Sequence, residues 1–292
     1  MNKKITRKVK NTVAAHREKR QLNIEAGERG RGVYLLPNLF TTAALFAGFY
    51  AVVASMDGNF EKAAFAIFVA MLLDGMDGRV ARMTSTETQF GKEYDSLSDM
   101  VSFGIAPALV MYQWGIDHLV SLSGFWSKAG WIVAFTYCVC AALRLARFNT
   151  NIGKVDKRYF EGLPSPSAAG VVAGLILFDH SFDFDPSYTS FPALIITFFA
   201  GALMVSNIKY RSFKDLNLKG KVPFHILLLV PLILGLLFID PHRTLFISFF
   251  AYAISGPVGL VMRRIRGEQT ENIIPDDIED PRVVPANYLE EE

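Results

Sequence analysis

Apolar residues fall in blocks of roughly 17–22 positions, separated by short polar stretches, along most of the chain. Blocks of that length match the roughly 20 residues with which an α-helix crosses a bilayer core. Eight are predicted, at about 36–56, 60–80, 100–117, 129–148, 164–179, 189–206, 223–239 and 243–262. The fifth, in "PSAAGVVAGLILFDH", is short. The pattern predicts an all-α integral membrane protein of about eight transmembrane helices, with the transmembrane body, 34–266, as one domain. Residues 1–33 contain no apolar core, so no cleavable signal peptide is expected.

The two ends differ from the body. Residues 1–33 are basic, and Ile5, Val9 and Val13 recur at four-residue steps. That stripe suits a cationic helix lying on anionic lipid, and it suits equally a solvated tail that enforces topology. Residues 267–292 are acidic and proline-containing, which predicts a disordered tail or a partner-binding segment.

Net charge is only +2, but its distribution decides the orientation. When eight spans are threaded with the N-terminus inside, every Lys and Arg except Lys62, Lys128 and Arg243 falls on the inner side. The positive-inside rule therefore predicts both termini in the cytoplasm. No nucleic-acid partner is expected. Cys138 and Cys140 lie within the fourth block and are too few for a disulfide framework. A CxC pair on a helix points its sulfurs about 200° apart, which favours packing over chelation.

Against this apolar background, Asp74, Asp77, Asp95 and Asp99 are costly. One Asp at the centre of a membrane helix costs roughly 2.5–3.5 kcal/mol. Asp74 and Asp77 share a face at the end of the second block, and Asp95 and Asp99 share one before the third. Between them Thr84, Ser85, Thr86, Thr88 and Gly91 form a stretch that can turn the chain. A helix hairpin would bring the pairs together as a hard-cation site of Mg²⁺ or Mn²⁺ type, and the cations would relieve the like-charge repulsion. Gly78 and Gly91 leave room for a ligand near the backbone, and Arg79 and Arg82 add positive charge. Metals, arginine and small residues together suit a pyrophosphate, with a remaining carboxylate free to take a proton from an attacking hydroxyl.

Other readings explain less. Helix capping accounts for Asp95 but not for four acids at this spacing. A cation-coupled transporter would place its acids near mid-bilayer in two corresponding halves, and this chain shows no such repeat. A structural scaffold gives no reason for the acids. "PSPS" reads as a proline-broken helix start, and Arg144 and Arg147 read either as topology anchors or as a carboxylate-binding pair.

The stretch from Asp74 to Asp99 reads D-x2-D-G-x2-A-R-x8-G-x3-D-x3-D. It resembles the signature of the CDP-alcohol phosphotransferases, integral membrane enzymes of phospholipid synthesis, at every fixed position. The segments "LPNLFTTAALFAGF", "SDMVSFGIAPA", "AALRLARFNT", "GLPSPSAAG" and "MVSNIKYRSFK" resemble the phosphatidylserine-forming branch of bacteria and archaea, up to about residue 214. The last two blocks and the tail fall outside that resemblance. The resemblance implies a six-helix catalytic core, a cytoplasmic-facing site in a bacterial or archaeal cytoplasmic membrane, and a homodimer. It implies transfer of a phosphatidyl group from CDP-diacylglycerol to L-serine. Glycerol 3-phosphate or an inositol phosphate is the alternative acceptor, as in sister enzymes. By the same resemblance Asp74, Asp77 and Asp95 would bind the metals, two Mg²⁺ or Mn²⁺ ions per site, and Asp99 would be the base and a further ligand. Gly78 and Arg82, with Thr88, Asn38 and Thr41, would bind CDP-diacylglycerol, and Arg144 and Arg147 would bind the serine carboxylate. The unrelated phospholipase D type of synthase uses HxK(x4)D motifs, and the five histidines here form none.

Overall fold

Helix α1 (Gly32–Met56) and helix α2 (Phe60–Thr84) form an antiparallel hairpin closed by a three-residue turn. In that turn Gly58 adopts a φ of 73°, and the Gly58 and Asn59 amides return to the carbonyls of Ser55 and Ala54. Ala44, Ala47, Ala51 and Ala54 of α1 are buried, as are Ala63, Ala64, Ala66 and Ala70 of α2. Small side chains at these positions let two backbones approach closely, the usual means of helix association where lipid removes the hydrophobic drive.

The computed structural model describes residues 32–84, 86, 88–116, 124–150, 159–182, 186–211, 231–232 and 235–266. The predicted basic segment 1–33 lies outside these residues but for its last two, as do the acidic tail 267–292 and most of the seventh block. Contacts divide the chain into two units, Met1–Gly256 and Pro257–Glu292. Every site discussed below belongs to the first.

After α2, one uninterrupted helical path runs from residue 89 to 116. It comprises α3 (Gln89–Asp99), a π-helical turn (Met100–Ile105), α4 (Ala106–Met111) and a second π turn (Tyr112–Ile116). Pro107 explains the first π turn. Proline has no amide hydrogen and its ring clashes with the carbonyl four residues earlier, so the helix widens there. That carbonyl belongs to Phe103 and accepts a hydrogen bond from the buried Tyr137 hydroxyl at 3.1 Å. Tyr137→Phe should leave it unsatisfied and lower stability by about 1 kcal/mol. Thermal unfolding of the two proteins in the same detergent measures this, and an unchanged midpoint would assign the carbonyl another partner.

Further helices among the described residues are α5 (Gly124–Thr150), α6 (Ser165–His180), α7 (Pro186–Val205) and α8 (Pro241–Ile265). The short fifth block becomes α6, which is buried at eleven of its sixteen positions and lies among other helices. The Gly174 backbone is pressed so closely to α8 that an added Cβ would meet Phe246 Cα at 2.9 Å. The all-α expectation needs one correction. Strands β1 (Tyr159–Glu161) and β2 (Lys209–Arg211) pair antiparallel, with Phe160 opposite Tyr210. Strands of three residues carry no readable alternation, so apolar periodicity could not announce them.

Seven of the eight predicted blocks coincide with helical segments of the fold. Among the described residues, three helices are long and apolar enough to cross a membrane: Leu36–Met56, Lys128–Thr150 and Pro241–Met262. Large apolar side chains stand exposed along the outer faces, among them Phe46, Phe49, Trp131, Phe135, Phe198 and Phe199. In water such a surface would drive association, whereas in a bilayer it is the solvated surface.

Candidate active site at the carboxylate cluster

The site is built on α1. Although a simple α2–α3 hairpin is the expectation from sequence, α2 and α3 each pack on α1 and touch one another little. Ser98 donates to the Thr41 carbonyl at 3.1 Å, Ser102 donates to the Ala44 carbonyl at 3.1 Å, and the Thr42 and Tyr94 hydroxyls meet at 2.9 Å. Gly48 permits this approach, since a Cβ there would lie 2.8 Å from Ser102 Cα. The splayed helices leave a cleft of about 190 Å³ between them, floored by α1.

Helix α2 ends at Thr84, where the Thr86 amide returns to the Ala81 carbonyl at 3.0 Å. Helix α3 begins at a cap in which Thr88 Oγ1 accepts the Gly91 amide at 2.9 Å. The predicted polar turn therefore does turn the chain. It also starts the third helix well before the apolar block, so that Asp95 and Asp99 sit on the same helix face.

Carboxylate oxygens of Asp74, Asp95 and Asp99 all lie within 4.8 Å of one another. Asp77, 6% exposed, stands beside Asp95 on the cleft side and accepts a 2.8 Å hydrogen bond from Thr41 Oγ1. Among the described residues, Asp95 Oδ1 and Asp99 Oδ1 are buried without a hydrogen-bond partner. Asp95 lies in α3, ahead of the apolar block. Its burial, reinforced by the Asp77 and Asp74 carboxylates, pushes its pKa up to about 8. Converging oxygens with unused lone pairs fit a hard divalent cation, whose charge would reverse that penalty.

The cleft gathers the residues expected to hold the donor: Asn38 and Thr41 from α1, Gly78 and Arg82 from α2, and Thr88 from the turn. Their chemistry is not equal. Thr41 is 3% exposed and its hydroxyl is engaged with Asp77, so it orients a carboxylate. Thr88 accepts from Gly91 and keeps its hydroxyl hydrogen to donate. Lys92 also lines the cleft and was not singled out by the motif. The available signal was its position three residues before Asp95, on the same helix face.

Arg144 and Arg147, expected as a pair, have separate surroundings. Arg144 is 9% exposed, its Nη1 donates to the Ser165 hydroxyl, and its Nε is buried with no partner among the described residues. Its charge acts on Asp99. Arg147 donates to the carbonyls of Glu161 at 2.7 Å and Ser206 at 3.2 Å and to Asn207 Oδ1 at 3.0 Å. It thereby fastens the end of α5 to the segments around β1 and β2. Ser165 was the other residue missed. "PSPS" does start a helix, as expected, and it also supplies the partner of Arg144.

A half-buried acid cluster lies beside a cleft lined by an arginine and a lysine, an arrangement whose chemistry fits a divalent cation next to a phosphate group. The chain belongs to the CDP-alcohol phosphatidyltransferase family, which residues 34–207 match. It is similar to the CDP-diacylglycerol–serine O-phosphatidyltransferase of Helicobacter pylori, with 35% identity over 77% of this chain and 90% of that protein. The protein of the same name from Methanocaldococcus jannaschii is 36% identical over 69% of this chain and 84% of its own length. The archaetidylserine synthase of Methanothermobacter thermautotrophicus is 33% identical over 60% and 69%.

Proposed function

We propose that this protein transfers a phosphatidyl group from CDP-diacylglycerol to the hydroxyl of L-serine, forming phosphatidylserine and CMP. The observation that carries the reading is the convergence of Asp74, Asp95 and Asp99, with two unpartnered oxygens, next to the cleft holding Asn38, Gly78, Arg82 and Thr88. The relatives' names supply the substrates. Asp74, Asp95 and Asp99 would hold one divalent cation, and Asp77 with Asp95 a second, of Mg²⁺ or Mn²⁺ type. Bound there, the cations would offset the negative charge of the pyrophosphate.

The chain's own groups do the rest. Arg82, Lys92, Asn38 and Thr88 bind the cytidylyl side of the donor, while its acyl chains stay in lipid. Gly78 keeps the wall of the cleft open. Arg144 positions the serine carboxylate near Asp99. Asp99 accepts the serine hydroxyl proton as that oxygen bonds to the lipid-linked phosphorus, and the phosphorus–oxygen bond to CMP breaks. Donor and acceptor are held together, so no covalent enzyme intermediate is required. Purified protein given labelled CDP-diacylglycerol and a panel of serine, glycerol 3-phosphate and inositol phosphate tests this. Phosphatidylserine and CMP are expected, and a product from another alcohol would replace the acceptor.

The same reading places the protein in a bacterial or archaeal cytoplasmic membrane as a homodimer. It would have about eight spans, including a six-helix catalytic core, with both termini and the cleft on the cytoplasmic side. The skew of basic residues supports that orientation. In a background lacking Cys138 and Cys140, a membrane-impermeant thiol reagent applied outside should label Asn59→Cys in the α1–α2 turn and not Gln89→Cys. The opposite pattern would invert the topology.

A further inference from the structure

The match to the family ends at residue 207, ahead of β2 and α8. Helix α8 is nevertheless seated on the part of the fold that holds Arg144. The seat is Tyr210 of β2, whose side chain is fully buried. Its hydroxyl donates to the Ala253 carbonyl of α8 at 2.9 Å. Three residues further along α8, Gly256 lies against the same ring, where an added Cβ would overlap it. The Tyr252 ring packs on the Tyr210 ring, with centroids 5.6 Å apart and planes at 48°. The ribbon is in turn tied to the arginines. Arg147 donates to the Glu161 carbonyl at 2.7 Å, and Glu161 pairs with Lys209, the neighbour of Tyr210. The chain leaves β1 at Gly162, whose φ is 77° and whose amide donates to the Ile208 carbonyl at 2.9 Å. Three residues later comes Ser165, which accepts from Arg144 Nη1.

We propose that α8 completes the acceptor site, with Tyr252 as a positioning residue that Tyr210 and Gly256 hold beside Arg144. This rests on the reading of Arg144 as the group that receives the acceptor's anionic end. Tyr252 is half-buried, and it and Arg144 act on one another electrostatically. The guanidinium needs such a neighbour. Ser165 holds its Nη1, and its Nε has no partner among the described residues, so it can swing about one bond. A long arginine side chain loses much rotamer freedom when it is ordered by a ligand. An aromatic wall beside it removes part of that freedom in advance, and preorganisation of this kind strengthens binding without adding a contact. The ring supplies the wall, so a phenyl group would serve as well. The donor cleft is lined from α1, α2, α3 and the turn before α3, so α8 should act on the acceptor and not on CDP-diacylglycerol.

The test measures, for full-length protein in detergent, the KM of CDP-diacylglycerol and the KM of the alcohol that the wild type uses. Tyr252→Ala should raise the acceptor KM about 3- to 10-fold, a fraction of the effect of losing a charge-assisted contact, with the donor KM unchanged. Tyr252→Leu, which keeps apolar packing but not the ring, gives the same reading if the alanine variant does not fold. Tyr252→Phe should stay close to wild type. Gly256→Ala should also raise the acceptor KM, because its methyl group pushes α8 off Tyr210. Gly259→Ala on the same helix, where a Cβ meets nothing within 4 Å, should not. Thermal unfolding identifies the folded variants. An unchanged acceptor KM in folded Tyr252→Ala or Tyr252→Leu and in Gly256→Ala overturns the proposal, even if stability falls. So does an equal rise in both KM values, or a Tyr252→Phe variant as impaired as Tyr252→Ala. A wild type that uses another alcohol overturns the serine reading alone, since the same split is then read with that alcohol. A normal acceptor KM in Arg144→Ala overturns the role of Arg144 and this inference with it.

Discussion

Asp95→Asn and Asp99→Asn are expected to reduce turnover by about 10²–10⁴-fold, the range that a positioned acid–base or charge-stabilising group supplies. Asp95 has three acidic neighbours, grouping with Asp74 and Asp99 and interacting also with Asp77, so its loss removes an oxygen shared by both parts of the cluster. Asp74→Asn and Asp77→Asn should abolish activity in the same assay. Chelator should silence the wild-type protein, and Mg²⁺ or Mn²⁺ should restore it. Asp99→Asn should differ in one respect. Its product formation should depend more weakly on pH, because the proton acceptor itself is gone. Each variant should stay folded, since neutralising one member of a repelling group removes an unfavourable interaction. Full activity in chelator would remove the metal site from the mechanism.

Arg144→Ala is expected to raise the serine KM by about 10- to 100-fold while the KM for CDP-diacylglycerol stays nearly constant. A charge-assisted contact is worth roughly 1.5–3 kcal/mol, and 1.4 kcal/mol is tenfold. The buried Nε without a partner among the described residues leaves this guanidinium a donor to give, and its charge acts on Asp99. Arg144→Lys should recover only part of the loss, because an ammonium lacks the fork. Ser165→Ala should shift the serine KM in the same direction but less, as it only holds the arginine in place. Arg147→Ala should behave otherwise. Its carbonyl partners at Glu161 and Ser206 would lose their donor, so the melting temperature should fall while the serine KM holds. A normal serine KM in Arg144→Ala would move the carboxylate partner to another cation, with Lys209 and Arg211 next to be tested and Lys214 after them.

Much of this site was readable in the linear chain because its chemistry is local. The four aspartates, two glycines and Arg82 lie within 26 positions, and each pair is spaced to share a helix face. Spacing of that kind survives any tertiary arrangement. The cleft residues Asn38 and Thr41 came only by resemblance, since nothing in their own segment says what they face. Ser165 and Lys92 escaped because one serine or lysine in an apolar or polar run has many uses. The two arginines three apart looked equivalent, and burial separated them.

The sequence by itself determined that the chain is mostly helical with apolar helices suited to a membrane, where most of them run, and that four acids lie together at their polar ends. Those properties follow from block length and from the free energy of placing carboxylates next to lipid, which depend on composition and spacing alone. The tertiary structure decided that α1 separates α2 from α3 and so opens a cleft, and that Thr41 serves Asp77. It also decided that Arg144 is buried against Ser165 while Arg147 clamps a ribbon, and that Glu61 meets two histidines far along the chain. Each of these joins residues distant in sequence. Such contacts are set by how small residues let helices pack, which no single segment encodes.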